Sequence, residues 1–145
     1  MNQETVTSLC KLLADTYALY LKTQNYHWHI KGPNFISYHK FLDDLYHQLA
    51  DAVDEIAERI VTLGGTAPAS FSQFSKLTTM KDGNSNQSAE AMFRDLYQDH
   101  QKMLDDLNKV ISHAEESHDE GTAGLLSNRI AEHEKIHWML RSIIS

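Results

Sequence analysis

Residues 27–65, HWHIKGPNFISYHKFLDDLYHQLADAVDEIAERIVTLGG, contain the pattern that decides the fold. After Gly32-Pro33, apolar residues recur every three or four positions, as they do on one face of an α-helix. Asn34 is a residue type that caps helix N-termini, and Gly64-Gly65 is a stop signal. The stretch therefore predicts one long helix over residues 34–63, with an apolar stripe of Phe41, Leu42, Leu45, Tyr46, Leu49, Val53, Ile56, Ala57 and Ile60.

The same predicted helix carries two pairs of side chains that can bind a metal ion. His39 and Asp43 are four residues apart, as are Asp54 and Glu58, so each pair shares a face one turn apart. At 100° per residue, all four positions fall within an arc of about 100°. The pairs are separated by eleven residues, which is about 16 Å of helix rise. One metal ion, with ligands at about 2.1 Å, cannot contact both pairs.

A two-fold axis would bring the two pairs together. If two copies of the helix lie antiparallel across such an axis, residue i contacts residue j and j contacts i. The register that sets His39 opposite Glu58 also sets Asp43 opposite Asp54. Each dimer would then contain two identical sites, and each site would be shared between the two subunits.

His27, at the end of the preceding helix, is the natural third ligand group. The Gly32-Pro33 turn folds that helix back beside the long one. Imidazole nitrogen and carboxylate oxygen, with no thiolate, suit Fe(II), Mn(II) or Zn(II) and leave positions open for an oxidant. A single such side chain on a helix is usually just solvated, but the self-complementary register of the set favours a metal site.

This stretch resembles the signature of the Dps family of mini-ferritins. The matching positions are His27-Trp28, Gly32, Phe35, His39, Asp43, Asp54, Ala57-Glu58-Arg59 and Leu63-Gly64-Gly65. The likeness extends to the tail, at Asp119-Glu120-Gly121-Thr122 and Trp138-Met139-Leu140. Two positions depart from the family pattern. His29 stands where many relatives have Asn, and Gly124 stands where relatives often place an acid that lines a pore for iron entry.

The resemblance implies an all-α, ferritin-like four-helix bundle with a long crossover, which contains a short helix, between the second and third long helices (the B–C crossover). The whole chain, residues 1–145, would form a single ferritin-like (Dps) domain. The resemblance also implies a homo-oligomer, a dodecamer built from two-fold dimers. This shell would oxidise Fe(II) with hydrogen peroxide, or with O2, and store Fe(III) as protection against oxidative stress. The implied ferroxidase ligands are His27, His39, Asp43, Asp54 and Glu58, with iron (Fe2+/Fe3+) as the metal and zinc as a surrogate.

Two other functions remain open on the sequence. One is a nucleoid or DNA-protecting binding protein for which iron is secondary. The other is a structural shell that holds zinc at its interface and does no redox chemistry, because the same ligands accept zinc.

The rest of the chain predicts three more long helices, over residues 1–31, 88–117 and 122–144. Residues 66–87 are rich in Ser, Asn and Gly and form one long connection, in which Phe71, Phe74 and Leu77 indicate a short helix or packed turn. Fully extended, this connection reaches about 70 Å, more than the roughly 45 Å of the long helix. It can therefore return the chain to the start of the bundle, as ferritin-like bundles require.

Several other histidines receive no functional assignment. His100, His113 and His118 are expected to be exposed or satisfied locally. His47 follows Asp43 by one turn and is interpreted as structural rather than as a secondary ligand. Glu134 and His137 have the spacing of an intra-bundle di-iron motif, but no second motif faces them, so they are expected at the surface or at a subunit contact.

Charge and composition limit the partners. The chain has 20 acids and 13 bases, a formal charge of −7, and neither MNQETVTS nor LRSIIS is a basic tail. DNA binding needs clustered Lys and Arg, so strong direct DNA binding is not expected at physiological salt, and nucleoid association is not favoured. The lone Cys10 and the lack of a long apolar run predict a cytoplasmic protein without membrane contact.

Overall fold

Five helices account for most of the chain. The computed structural model describes residues 3–145, which form no β-strand. The helices are α1 (Gln3–His29), α2 (Phe35–Thr62), α3 (Phe71–Leu77), α4 (Ala89–Glu116) and α5 (Glu120–Ile144). Each of the four predicted long helices is present within a few residues of its expected bounds, and α3 is the short helix expected in the crossover. Residues 1 and 2 of the first predicted helix lie outside the described part.

The four long helices pack as two antiparallel hairpins, α1 with α2 and α4 with α5. Within the first hairpin, His27 near the end of α1 contacts His39 near the start of α2. The hairpins join where α1 packs on α4, with Lys22 bonded to Asp99. Leucine dominates the shared core, and each fully buried leucine contributes roughly 2 kcal/mol of hydrophobic free energy. All four long helices supply core residues, among them Leu9, Leu19, Leu42, Leu49, Ile60, Phe93, Leu96, Leu126 and Leu140.

The helix ends follow from local sequence at most positions. Ser70, Ser88 and Asp119 cap α3, α4 and α5, each accepting a hydrogen bond from a backbone N–H three residues on. Gly64, at φ +88°, ends α2 in the left-handed region as the stop signal predicts. Asn34 occupies the predicted N-cap position of α2, but its side chain makes no capping hydrogen bond.

The crossover runs along α1 from one end of the bundle to the other. Its centre is fixed by Asp15, a buried carboxylate that accepts hydrogen bonds from the Thr79 backbone N–H at 2.7 Å, from the Thr78 hydroxyl at 2.8 Å and from Lys11 at 2.8 Å. Burial alone would raise the pKa of Asp15, but these donors outweigh it and hold the pKa below its ordinary value. The crossover is therefore an ordered part of the bundle, and it carries the chain to the start of α4.

None of the helices formed by residues 3–145 combines the length and the apolar character needed to cross a lipid bilayer.

Candidate metal centre

The two histidines of the predicted site meet at the end of the α1–α2 hairpin. Their rings stack with centroids 3.8 Å apart and planes 12° apart. Nδ1 of His27 lies 2.8 Å from the backbone oxygen of His39, and Nδ1 of His39 lies 2.7 Å from the backbone oxygen of His27. Each ring is thus held by the main chain of the other helix.

This reciprocal arrangement determines the tautomer of both rings. A carbonyl oxygen only accepts hydrogen bonds, so Nδ1 carries the proton in His27 and in His39. In each neutral ring, Nε2 then has a free lone pair. Metal-binding histidines are commonly oriented in this way, with one nitrogen donating to a carbonyl and the other bound to the metal. The pair therefore presents two nitrogen atoms that could hold a metal ion.

Aromatic side chains enclose the two imidazoles. Phe35 stacks on His39 with centroids 5.0 Å apart, and Tyr46 lies 5.2 Å from the ring of His27. His27 is only 8% exposed, whereas His39 is half-buried. This packing restricts ring rotation, so the two Nε2 atoms keep fixed directions.

Asp43 follows His39 by one turn of α2 and is also half-buried. Its carboxylate lies beside the hydroxyl of Tyr46, and burial together with this negative charge raises the pKa of Tyr46. His47 donates from Nδ1 to the backbone oxygen of Asp43 at 2.8 Å and is exposed. The interpretation of His47 as structural stays a prediction, because an Nδ1–carbonyl contact is common to structural and metal-binding histidines.

Asp54 and Glu58 form a second, fully separate group further along α2. Both are exposed, and their carboxyl groups contact each other. The hydrogen bond to Asp54, followed by the repulsion from its charge, raises the pKa of Glu58. The neighbouring Arg59 cation binds Asp119 at 2.9 Å and the Thr122 hydroxyl at 3.0 Å. A bound cation would relieve the repulsion between the two carboxylates.

One chain does not bring the five predicted ligands together. His27 and His39 are in contact near one end of α2, and Asp54 and Glu58 are in contact further along it. Within residues 3–145, no group of three or more His, Cys, Asp or Glu side chains is close enough to hold a metal ion. The five-residue site therefore stays a prediction that needs a second subunit.

The bundle interior contains a polar chain that the sequence analysis missed. His100 was expected to be exposed or satisfied locally; it is fully buried, so exposure is wrong, and its Nδ1 has a partner in Nδ1 of His133 at 2.9 Å. Arg129, also buried, contacts Nε2 of His133 at 3.0 Å. The signal was present in the sequence, because His100 follows Leu96 and precedes Met103 at core spacing.

Glu134 is exposed as expected, and His137 stacks on Tyr97 with centroids 4.2 Å apart.

Comparison with known proteins identifies the class and then the family. Residues 6–145 match the family model for the ferritin-like domain, so fold and sequence together define a ferritin-like protein. The chain is 35% identical over 145 residues to DNA protection during starvation protein 2 of Bacillus anthracis, covering 100% of this chain and 99% of that protein. The chain belongs to the Dps family.

Solved structures agree with this assignment. A Dps protein from Vibrio cholerae O1, described as a member of a superfamily of ferritin-like diiron-carboxylate proteins, matches with a TM-score of 0.96 and 32% identity, over 99% of this chain and 90% of that one. Dps from Staphylococcus aureus matches with a TM-score of 0.97 and 30% identity, over 99% and 97%. The predicted all-α, ferritin-like bundle with a short helix in its crossover is confirmed.

Proposed function

We propose that this protein is a mini-ferritin that oxidises Fe(II) at sites shared between subunits and stores the Fe(III) product inside a dodecameric shell. The observation that carries the proposal is the reciprocal His27–His39 pair, which leaves two imidazole Nε2 atoms free. Membership of the Dps family and the diiron-carboxylate description of the Vibrio cholerae relative support it. The proposal treats residues 1–145 as one ferritin-like domain of a cytoplasmic protein.

In this proposal each site takes His27, His39 and Asp43 from one subunit and Asp54 and Glu58 from its antiparallel partner. Fe(II) is the substrate, and the mixed nitrogen and oxygen ligands suit it. The raised pKa of Glu58 reflects a carboxylate pair that lacks a counter-charge. Glu58, opposite His39 in the proposed register, is the strongest candidate to bridge two iron ions.

Hydrogen peroxide is the proposed main oxidant, with O2 as a second one. Two Fe(II) ions supply the two electrons that reduce one peroxide molecule to two water molecules, with uptake of two protons. Pairing the electrons in this way avoids release of a hydroxyl radical. The Fe(III) then hydrolyses and is deposited as mineral, so both reactants of the Fenton reaction are removed.

Rapid mixing of Fe(II) with the oxidant tests the enzymatic part of the proposal. Metal-free protein is loaded with Fe(II) without oxygen, and peroxide or air is then injected while Fe(III) absorbance is recorded. We expect peroxide to oxidise the bound iron much faster than in buffer. If oxidation is no faster with either oxidant while Zn(II) still binds, the interface holds a structural zinc ion and the ferroxidase proposal is wrong.

Mixing two inactive variants tests whether the sites are shared. One variant carries His39→Ala and Asp43→Asn, and the other carries Asp54→Asn and Glu58→Gln. After the subunits are mixed by unfolding and refolding, half of the dimers are mixed, and each has one intact site, so about one quarter of all sites should be active.

The measurement is the rate of Fe(III) formation before and after mixing. Each variant refolded alone is the control and should stay inactive. If the mixture is as inactive as its parents although mixed dimers form, the ligands are not divided between subunits as proposed.

We propose that any DNA protection by this protein acts through iron and peroxide removal, not through direct binding. With 20 acids and 13 bases, the assembled shell repels phosphate at long range. We expect no retention of duplex DNA in a gel-shift experiment at about 150 mM salt, where non-specific binding depends on phosphate neutralisation. A retained band at that salt concentration would instead favour the nucleoid-binding function.

A further inference from the structure

Tyr26 immediately precedes His27 and is fully buried. Its hydroxyl donates to the Asp95 carboxylate of α4 at 2.5 Å. The same oxygen accepts from the side-chain amide of Gln87 at 2.7 Å and from the backbone N–H of Asn84 at 3.3 Å. One phenol oxygen therefore joins α1, the end of the crossover and α4, with its donor and both acceptor positions in use.

The surroundings keep this junction rigid. Lys22, one turn before Tyr26 and buried, lies 3.4 Å from Asp95 and 2.8 Å from Asp99, so its ammonium group joins both carboxylates of α4 to α1. The crossover approaches α1 so closely at Gly83 that a Cβ there would come within 2.9 Å of Lys22 and 3.1 Å of Tyr26. The backbone at this point therefore has no room to move closer to α1, and a side chain at residue 83 would push it away.

The site on the other side of α1 depends on how this last turn is placed. Successive side chains on a helix diverge by about 100°, so Tyr26 points toward α4 and the crossover while His27 points toward α2. Both hydrogen bonds of the His27–His39 pair join the two helices, at 2.8 and 2.7 Å. A rotation or axial shift of the last turn of α1 would lengthen both of them.

We propose that Tyr26 is a positioning residue for His27, held by Asp95 and by crossover residues Asn84 and Gln87, and that this junction sets the metal affinity of the histidine pair. The inference rests on the proposed function. The end of the crossover then supports the site, although it packs against a different face of α1 from the one that carries His27.

The variant Tyr26→Phe removes the hydroxyl and keeps the ring. We expect its affinity for Co(II), measured anaerobically by absorption titration, to fall about 10-fold, the lower end of the range for lost outer-shell support. In nitrogen-correlated NMR spectra, the ring signals of His27 and His39 should move away from the fixed Nδ1–H tautomer. Gln87→Ala, which leaves Tyr26 in place, should shift both readouts in the same direction by a smaller amount.

Tyr38 provides a matched control, because it precedes His39 as Tyr26 precedes His27. Among residues 3–145, its hydroxyl has only a 3.5 Å contact, with the side-chain amide of Asn34. Tyr38→Phe should therefore change neither Co(II) affinity nor the histidine signals. Equal losses in the two Tyr→Phe variants would overturn the inference, and so would unchanged histidine signals in Tyr26→Phe.

His27→Ala separates failure of the inference from failure of the proposed function. If this variant binds Co(II) as well as the wild type does, the histidine pair is not a metal site and the proposed function falls with the inference. If it loses Co(II) binding while Tyr26→Phe binds normally, only the positioning role of Tyr26 is wrong.

Discussion

Exchanging Glu58 for Gln is expected to slow peroxide-driven oxidation of Fe(II) by at least about 100-fold, because loss of a proposed direct ligand should exceed the roughly 10- to 100-fold loss seen for outer-shell partners. Asp54→Asn should have an effect of similar size. Neither change removes core packing, because both side chains are exposed. In the metal-free protein, Glu58→Gln also removes the carboxylate repulsion that raises the pKa of Glu58, so stability should be unchanged or slightly higher. Stopped-flow absorbance and thermal unfolding measure the two effects separately.

Asp51→Asn is the matched control for this result. Asp51 is an exposed acid on the same helix, one turn before Asp54, and it is outside the proposed ligand set. Its substitution changes the local charge by the same amount but should leave the oxidation rate within about twofold of the wild type, as is usual for exposed surface positions. A large loss in Asp51→Asn, or normal oxidation in Glu58→Gln, would contradict the assignment of the ligands.

Lowering the pH from 6.5 to 5 is expected to destabilise the bundle strongly through His100 and His133. Arg129 can only donate hydrogen bonds, so it donates to Nε2 of His133. Nδ1 of neutral His133 then carries a proton and donates to Nδ1 of His100. The proton of His100 is therefore on Nε2, which is buried and has no hydrogen-bond partner among the described residues. Protonation of either ring would remove an acceptor and add a buried positive charge.

The sign of the pH effect follows from the pKa values. Burial, assisted by the nearby charges of Arg129 and His137, lowers the pKa of His100 to about 3. Burial, then His100 and Arg129, lowers the pKa of His133 well below its ordinary value. Below about pH 6.5 these two histidines bind protons in the unfolded chain but stay neutral in the folded chain. The free energy of unfolding therefore falls as the pH falls. A histidine that stays neutral in the folded chain contributes about 1.4 kcal/mol per pH unit, so His100 contributes up to about 2 kcal/mol between pH 6.5 and 5, and His133 acts in the same direction.

Three other charged groups, Arg129, Asp15 and Asp119, do not reverse this effect. Glu55 and Glu132 act on Arg129, but burial dominates and keeps the pKa of Arg129 below its ordinary value. The pKa values of Asp15 and Asp119 are also lowered in the folded protein. The contributions of these two carboxylates to stability are lost only below about pH 4. The two histidines lower stability at higher pH, between 6.5 and 5, so the two effects are separate.

Urea unfolding at several pH values and one fixed protein concentration measures how steeply the free energy of unfolding depends on pH. The double variant His100→Gln and His133→Gln keeps an amide oxygen for Arg129 and cannot titrate, so its stability should change little between pH 6.5 and 5. His118→Asn is the control, since His118 is exposed at φ +58°, a conformation that Asn tolerates. A wild-type slope in the double variant would show that other groups cause the acid sensitivity.

Local sequence patterns predicted where the helices lie, but not the burial of every side chain on them. The apolar period and the Gly64 stop located α2, and Phe71, Phe74 and Leu77 indicated α3 correctly. For His100, expected to be exposed or satisfied locally, exposure was wrong, because its position belongs to the apolar stripe of α4. The apolar spacing indicates that His100 is buried, but its partner His133, on the facing helix, is seen only in the tertiary structure.

The sequence by itself determined the spans of the helices and the spacing of the two ligand pairs, because both depend on a repeat of 3.6 residues along one helix. Only the tertiary structure decided which nitrogen of His27 and His39 is free, what holds Tyr26, and how the buried histidines are paired. These features depend on hydrogen bonds between residues that are 12 to 69 positions apart. Such bonds follow from the register of one packed helix against another, which is set by the whole core and has no local pattern in the chain.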